Sequence, residues 1–284
     1  MTLQFHKPSS IEEAVSILSA DEGARPLAGG QTLVAMMNGH LLEPSALVSL
    51  RSIEALRVCE TGPEGMRIGA MVSHAEVERD ARLVNGWAVV REAASQIAHP
   101  AIRSFGTMGG AVAHADPNAD YPGALVAAGA LIVATGPGGR RSIPAQDFFQ
   151  DYLTTALDPG EILTDVLLPP AQPNTVGVYE KFSRVDGDYA TVSVAAVIGF
   201  DGGTCTSARV AIGSCGPIPL RSDACDAALV GTQLDEASVA KAGAILAEAA
   251  DPVDDVRGSA DLRRKIIPRL LARALQRAVA RSGQ

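Results

Sequence analysis

The stretch that decides how this chain is read is Pro26-Leu-Ala-Gly-Gly-Gln-Thr-Leu33, two adjacent glycines between an apolar approach and a second apolar run. About eighty residues later comes a second pair, in Thr107-Met-Gly-Gly-Ala111. Taken singly, each pair is a turn signal. Taken together they share a pattern. Each has a hydroxyl neighbour, Thr32 or Thr107, and each leads into a segment able to start a helix or a tight turn. Glycine removes the Cβ that keeps an anion away from the backbone, and successive N–H groups form anion-binding nests. Four or five charge-assisted N–H bonds to a pyrophosphate, at about 1.5–3 kcal/mol each, contribute on the order of 10 kcal/mol before ordering costs. Such a grip requires no basic residue.

That matters because the chain is acidic, with a formal net charge of -8 over 284 residues. A sequence-independent hold on nucleic acid is thereby disfavoured. The length suffices to bury roughly three quarters of the unfolded surface without staples. The opening MTLQFHKPSS has no basic segment followed by an apolar core, so no signal peptide is read. The longest apolar run, Ala124 to Ala134, is too short for a transmembrane segment. The expectation is a cytoplasmic protein, at most peripheral to the inner membrane face through a complex. Cys59, Cys205, Cys215 and Cys225 form no Cys-x-x-Cys and match no zinc or iron-sulfur spacing. They are expected reduced, with no metal bound by this chain, so any iron-sulfur cluster must sit on a partner.

Along the chain, Ser10-Ile-Glu-Glu13 and Ser73-His-Ala-Glu76 read as capping boxes that open helices. The first fifty-odd residues read as helix, strand, glycine turn, helix, strand, a small α/β unit. Met66–Met71, Leu131–Thr135 and Ile162–Leu168 read as further strands, and Trp87–Ala98 as a helix. His114-Ala-Asp-Pro-Asn-Ala-Asp-Tyr-Pro-Gly123 has the chemistry of a loop. Beyond a linker at Ala171–Thr175 the pattern changes to three strands, Val178–Ser183, Ala190–Phe200 and Thr204–Gly213. The last two are joined by the hairpin signal Asp201-Gly-Gly203. Three helices follow. Arg269, Arg273, Arg277 and Arg281 recur every fourth residue on the last one, a basic stripe read as solvated or as a docking face for an acidic partner.

No G-x-G-x-x-G follows a strand, no P-loop is present and no G-x-S-x-G occurs, so Rossmann, P-loop and α/β-hydrolase sites are disfavoured. In this order, PLAGGQTLVAMMNGHL, IRSFGTMGGAVAHADPNADYP and EKFSRVDGDYATVSVAA resemble the FAD-binding medium subunit of the molybdenum hydroxylases, carbon monoxide dehydrogenase type, over essentially the whole chain. The resemblance implies an α+β architecture. A vanillyl-alcohol-oxidase, PCMH-type FAD-binding domain over residues 1–175 would comprise two α/β subdomains, about 1–55 and 56–175. A C-terminal domain over 176–284 would carry a three-stranded antiparallel sheet with helices.

It also implies that the glycine loops hold the FAD pyrophosphate, through Ala28, Gly29, Gly30, Gln31, Thr32 and Leu33, and through Thr107, Met108, Gly109, Gly110 and Ala111. Ile97, Asp120, Leu163 and Lys181 match positions near FAD, and Tyr189 matches an aromatic beside the isoalloxazine ring. Two departures stand out. The family's first loop is often AGGHS, here AGGQT, and Ala111 brings no polar side chain where the family often has Asn or Asp. Asp116 is a candidate for flavin hydroxyls or for turn capping. His99 and His114 flank the second loop and are not assigned to the site.

The implied role is electron transfer. A large molybdenum-pterin subunit oxidises substrate, 2Fe-2S clusters on a small subunit relay electrons, and FAD on this chain passes them to oxygen, a quinone, NAD or a carrier protein. The assembly implied is a dimer of heterotrimers, and this chain carries no catalytic residue of its own. A free-standing FAD oxidoreductase of the same fold and an interaction subunit that has lost FAD are the alternatives.

Overall fold

The computed structural model describes residues 3–283. The chain opens with β1 (Gln4–His6), α1 (Ile11–Ala20), β2 (Arg25–Leu27), α2 (Leu33–Asn38) and β3 (Ala46–Ser49). β3 is central, with β1 and β2 parallel to it on either side. Ala14, Val15 and Leu18 give α1 its buried stripe. Ser10 caps α1 by accepting from Glu13 N–H, but the Glu13 carboxylate takes the Ser9 N–H at 2.8 Å, so the expected reciprocal box is only half formed. The first glycine loop lies between β2 and α2, at the end of a parallel strand, where backbone donors are free to face a ligand.

Next come β4 (Cys59–Gly62), β5 (Gly65–Gly69), α3 (His74–Arg79), α4 (Ala88–Ser95), α5 (Pro100–Arg103), α6 (Met108–His114) and α7 (Asp120–Ala128). They are followed by β6 (Leu131–Gly136), β7 (Gly139–Pro144), α8 (Ala145–Phe148), β8 (Phe149–Asp151), β9 (Thr154–Thr155) and β10 (Ile162–Leu168). Five strands form an antiparallel sheet in the order β4-β5-β10-β6-β7. The Ser73 capping box is complete. The helix read over Trp87–Ala98 is shorter, and the loop read through Asp120 is a helix from that residue on. Pro122 disguised it. In a first helical turn the missing proline N–H costs nothing, and an aspartate there suits the helix dipole.

The C-terminal unit is β11 (Thr175–Phe182), β12 (Val192–Asp201), β13 (Thr204–Gly213), β14 (Leu220–Arg221), α9 (Asp223–Leu229), α10 (Glu236–Ala249) and α11 (Ala260–Ser282). Its sheet has four antiparallel strands rather than three. The extra strand pairs Leu220 with Ile212 and Arg221 with Ala211. Two residues carry no alternation to read, so the sequence pattern could not announce it. Successive side chains of β11 and β12 point to opposite faces. Tyr179 and Ala195 join the core of the preceding sheet, while Val178, Val194 and Ala196 join a second core under α9, α10 and α11. Helix α7 is buried at every residue, as a helix apolar on all sides requires.

The arginine stripe on α11 is neither simply solvated nor free for a partner. Arg277 reaches Glu92 of α4 at 3.0 Å and the Tyr179 carbonyl at 2.9 Å, and it also pairs with Glu180 of β11. Arg273 meets Glu180 at 2.7 Å, and Arg281 pairs with Glu92. The Glu180 side chain is only 3 % exposed, so it depends on these cations. Arg269 is exposed and makes no ion pair among the described residues. Removing one partner of a buried charge leaves the other uncompensated. Arg277→Met should therefore lower unfolding stability by about 1–3 kcal/mol in a urea titration. Arg269→Met should stay within about 0.5 kcal/mol of wild type in the same assay.

Candidate functional site

The two glycine pairs meet across one cavity of about 490 Å³. Ala28 to Leu33 of the first loop, Thr107 and Gly109 to Ala111 of the second, and Leu163 of β10 all line it. Met108 is fully buried behind its loop and does not line the cavity.

Two glycines are dictated by packing. A Cβ built on Gly29 would lie 2.0 Å from the Phe105 carbonyl oxygen and 2.9 Å from Gly106 Cα, so the loops approach backbone against backbone. A Cβ on Gly109 would lie 2.4 Å from Ala70 Cβ. Gly30 has φ +75, in the left-handed region that favours glycine. Gly110 differs. It is exposed, and a Cβ there would meet only the Thr107 hydroxyl at 2.9 Å and Ala28 Cβ at 3.7 Å.

Backbone donors are divided unequally between the loops. In the second loop Met108 N–H bonds Val72 O at 2.9 Å and Gly109 N–H bonds Ala70 O at 2.8 Å. Gly110 N–H is taken by Thr107 Oγ1 at 3.1 Å and Ala111 N–H by Thr107 O at 3.0 Å. Ser73 and Thr107 also form a β-bridge, and His74 N–H bonds Gly106 O at 3.0 Å. In the first loop the N–H groups of Gly29, Gly30, Gln31 and Thr32 donate to nothing among the described residues. The Gln31 side-chain amide turns back to Gly29 O at 3.2 Å. The cradle of backbone donors is thus the first loop, and the second loop supplies a braced wall.

Several wall residues escaped the sequence reading, among them Met71, His74, Leu157 and Glu161, and His114, which that reading left unassigned, also lines the cavity. His74 sits inside the capping box, where the motif drew notice to its neighbours. It is buried, with Nδ1 3.2 Å from the Tyr121 hydroxyl. Burial, then the charge of Arg103, lowers its pKa to about 4, so it is neutral at physiological pH. Glu161 is held by Arg141 at 2.7 Å, and that hydrogen bond lowers its pKa. Arg25 also lines the cavity, but one of its Nη atoms is spent on the Glu22 and Ala24 carbonyls.

Ile97, Asp120, Lys181 and Tyr189 lie outside this cavity. Lys181 and Asp120 form a buried ion pair at 3.0 Å, with side chains 2 % and 6 % exposed. Tyr179 donates to Asp120 Oδ1 at 2.7 Å, and Lys181 also donates to the Gln96 carbonyl at 2.7 Å. Both residues therefore tie β11 to α7 and to the end of α4. Ile97 is half-buried and passes its carbonyl to Arg103 at 2.9 Å. Tyr189 remains 41 % exposed, with the Arg257 guanidinium 5.1 Å from its ring centroid, a cation–π contact. Gly187 packs against the Ala98 carbonyl and His99, which brings the β11–β12 loop beside the segment that leads to the second glycine loop.

Comparison with known proteins accords with this geometry. A family model described as the FAD binding domain in molybdopterin dehydrogenase matches residues 1–171. A second, described as the CO dehydrogenase flavoprotein C-terminal domain, matches residues 177–278. The chain is 38 % identical to the carbon monoxide dehydrogenase medium chain of Afipia carboxidovorans, over 99 % of this chain and 98 % of that one. It is 34 % identical to the nicotine 6-hydroxylase medium subunit of Paenarthrobacter nicotinovorans, again over 99 % and 98 %. A solved structure of carbon monoxide dehydrogenase from Oligotropha carboxidovorans superposes with a TM-score of 0.95 at 37 % identity, covering 99 % of both chains.

The packing separates the glycines by their tolerance of a methyl group. Gly29→Ala should lower the thermal midpoint, because the collision is with backbone that cannot rotate away. Gly110→Ala should lower it less, because only the Thr107 hydroxyl must give way and alanine in place of glycine in a helical turn offsets about 0.5–1 kcal/mol. Scanning calorimetry of the two variants checks the order.

Proposed function

The chain belongs to the FAD-binding medium subunits of the molybdopterin dehydrogenases, and from that membership we propose that it seats FAD between its two glycine loops and serves as the electron-transfer subunit. The observation that carries the reading is the convergence of both loops on one cavity, with four first-loop N–H groups that have no partner among the described residues. Such a nest suits a pyrophosphate in a protein of negative net charge. These donors and the bare approach at Gly110 fit the group. FAD, when bound, supplies a carrier that takes single electrons from 2Fe-2S clusters on a small partner subunit and releases one or two to an external acceptor, whether oxygen, a quinone, NAD or a carrier protein.

Each wall then has a distinct role in the proposal. Gly29, Gly30, Gln31 and Thr32 donate to the pyrophosphate, with Ala28 and Leu33 fixing the loop's ends. Gly109, Gly110 and Ala111 bring the opposite wall close without side-chain bulk, and Thr107 braces that wall through Gly110. Leu163 supplies apolar contact. Tyr189 stands beside the flavin ring. Asp120 and Lys181 act at one remove, since both are spent on each other and on Tyr179 and Gln96. They hold the C-terminal sheet in place against the FAD-binding unit, and Ile97 lies at that same junction. Under this reading the FAD-binding domain is of the vanillyl-alcohol-oxidase type and ends near residue 175. Substrate chemistry belongs to a large molybdenum-pterin subunit, and the complex is a cytoplasmic dimer of heterotrimers.

Gly110→Val tests the proposal because Gly110 is exposed and a side chain there meets the Thr107 hydroxyl and Ala28 Cβ rather than backbone, so the chain should stay folded. Purified wild-type protein should show a bound-flavin visible spectrum and co-elute with large and small partners. The variant should keep its circular dichroism and lose the flavin. A wild-type chain that stays colourless after incubation with FAD, or a variant that stays yellow, would contradict the assignment. Turnover by the isolated chain would instead favour a free-standing flavoenzyme.

A further inference from the structure

A separate cavity of about 310 Å³ opens where the turn after α7 meets β13 and β14, away from the glycine loops. Gly129, Gln146, Arg209 and Arg221 are among its lining residues. The sheet register brings the two arginines together. Arg221 pairs with Ala211, and Arg209 lies two residues from Ala211 on the same strand. Both side chains therefore emerge on one face as diagonal neighbours.

Their states differ. Arg221 is compensated, by Asp226 at 2.7 Å and Asp223 at 2.9 Å. Arg209 has no carboxylate partner among the described residues, and its one hydrogen bond is a long one, 3.4 Å, to the Val126 carbonyl. A guanidinium carries five donors. The Nε atoms of both arginines are buried without partners. Asp226 cannot turn to Arg209 without losing bonds, because its Oδ1 accepts from Val210 N–H and its Oδ2 from Arg221. The Arg209 guanidinium lies directly over Gly129, where a Cβ would stand 2.6 Å from Nη1, and that residue has φ +67. A bare backbone thus makes room for a cation that no carboxylate of the described residues contacts. Burial, then the charge of Arg221, lowers the Arg209 pKa, with the Asp226 carboxylate offsetting part of the shift.

We propose that this cavity binds a small oxyanion, a phosphate or carboxylate group, between Arg209 and Arg221. The planar fork of a guanidinium matches two oxygens of either group and does not match a spherical halide. The site does not depend on the FAD assignment, and no residue is shared with the glycine cavity.

The test uses the full chain with excess FAD, so that any site at the glycine loops is already occupied. Inorganic phosphate and acetate are titrated separately by calorimetry at constant ionic strength in chloride. At least one should bind saturably. Arg209→Gln should weaken that binding about ten- to a hundredfold, the loss expected for a charge-assisted bond. Arg209→Lys should retain part of it. Arg209→Met, which keeps bulk without charge, should be at least as stable as wild type in chloride alone and should gain no thermal stability from the bound anion. Phosphate would identify a phosphorylated ligand, and acetate alone a carboxylate. Absence of saturable binding by both anions in the wild type would overturn the proposal. So would equal affinity in Arg209→Gln.

Discussion

The site depends on one close approach. The backbone of Gly29 passes so near the Phe105 carbonyl that no Cβ fits between them. That contact joins a loop from the small parallel sheet to the segment that leads into the second glycine pair. It fixes the width of the cavity, and Gly109 against Ala70 fixes its opposite wall in the same way. Both approaches are backbone against backbone or against a methyl group. Neither can be relaxed by rotating a side chain, so the geometry of the cleft is set before any ligand arrives.

Within that frame the two pairs of glycines serve different ends. The second loop spends its N–H groups on Ala70, Val72 and Thr107, and so becomes a rigid edge. The first keeps its N–H groups unspent. An unpaired backbone donor is tolerable only where water or a ligand can reach it. That the unpaired set is contiguous, from Gly29 to Thr32, in residues that line the cavity is what distinguishes a candidate nest from a turn. Asp120 and Lys181, expected near the cofactor, lie outside the cavity. Asp120, Lys181 and Tyr179 form a buried polar knot that holds the C-terminal sheet against α7. The Glu92, Glu180 and Arg277 network does the same along α11.

Much of this was legible in the sequence, and the limits have physical causes. The glycine pairs, the Ser73 cap and the Asp201-Gly-Gly203 hairpin are local signals, and each appears where it was read. The unequal use of the loops' donors was not legible, because the acceptors that silence the second loop, Ala70 O and Val72 O, come from a distant segment. The fate of the arginine stripe was hidden for the same reason, since Glu92 lies far upstream of Arg277. Lys181 and Asp120 were expected near FAD from the resemblance, but their pairing with each other in the interior was not legible, because it joins segments far apart in the chain. β14 was invisible because its two residues are a strand only by virtue of their neighbour.

The central claim, that the first loop donates while the second only braces, is open to one direct measurement. Amide hydrogen exchange is recorded residue by residue across both loops with and without FAD. The account predicts that Gly29 to Thr32 exchange fast in the free chain and become strongly protected by FAD, while Met108 to Ala111 are protected in both states. Protection gained only at Met108 to Ala111, or at neither loop, would contradict it.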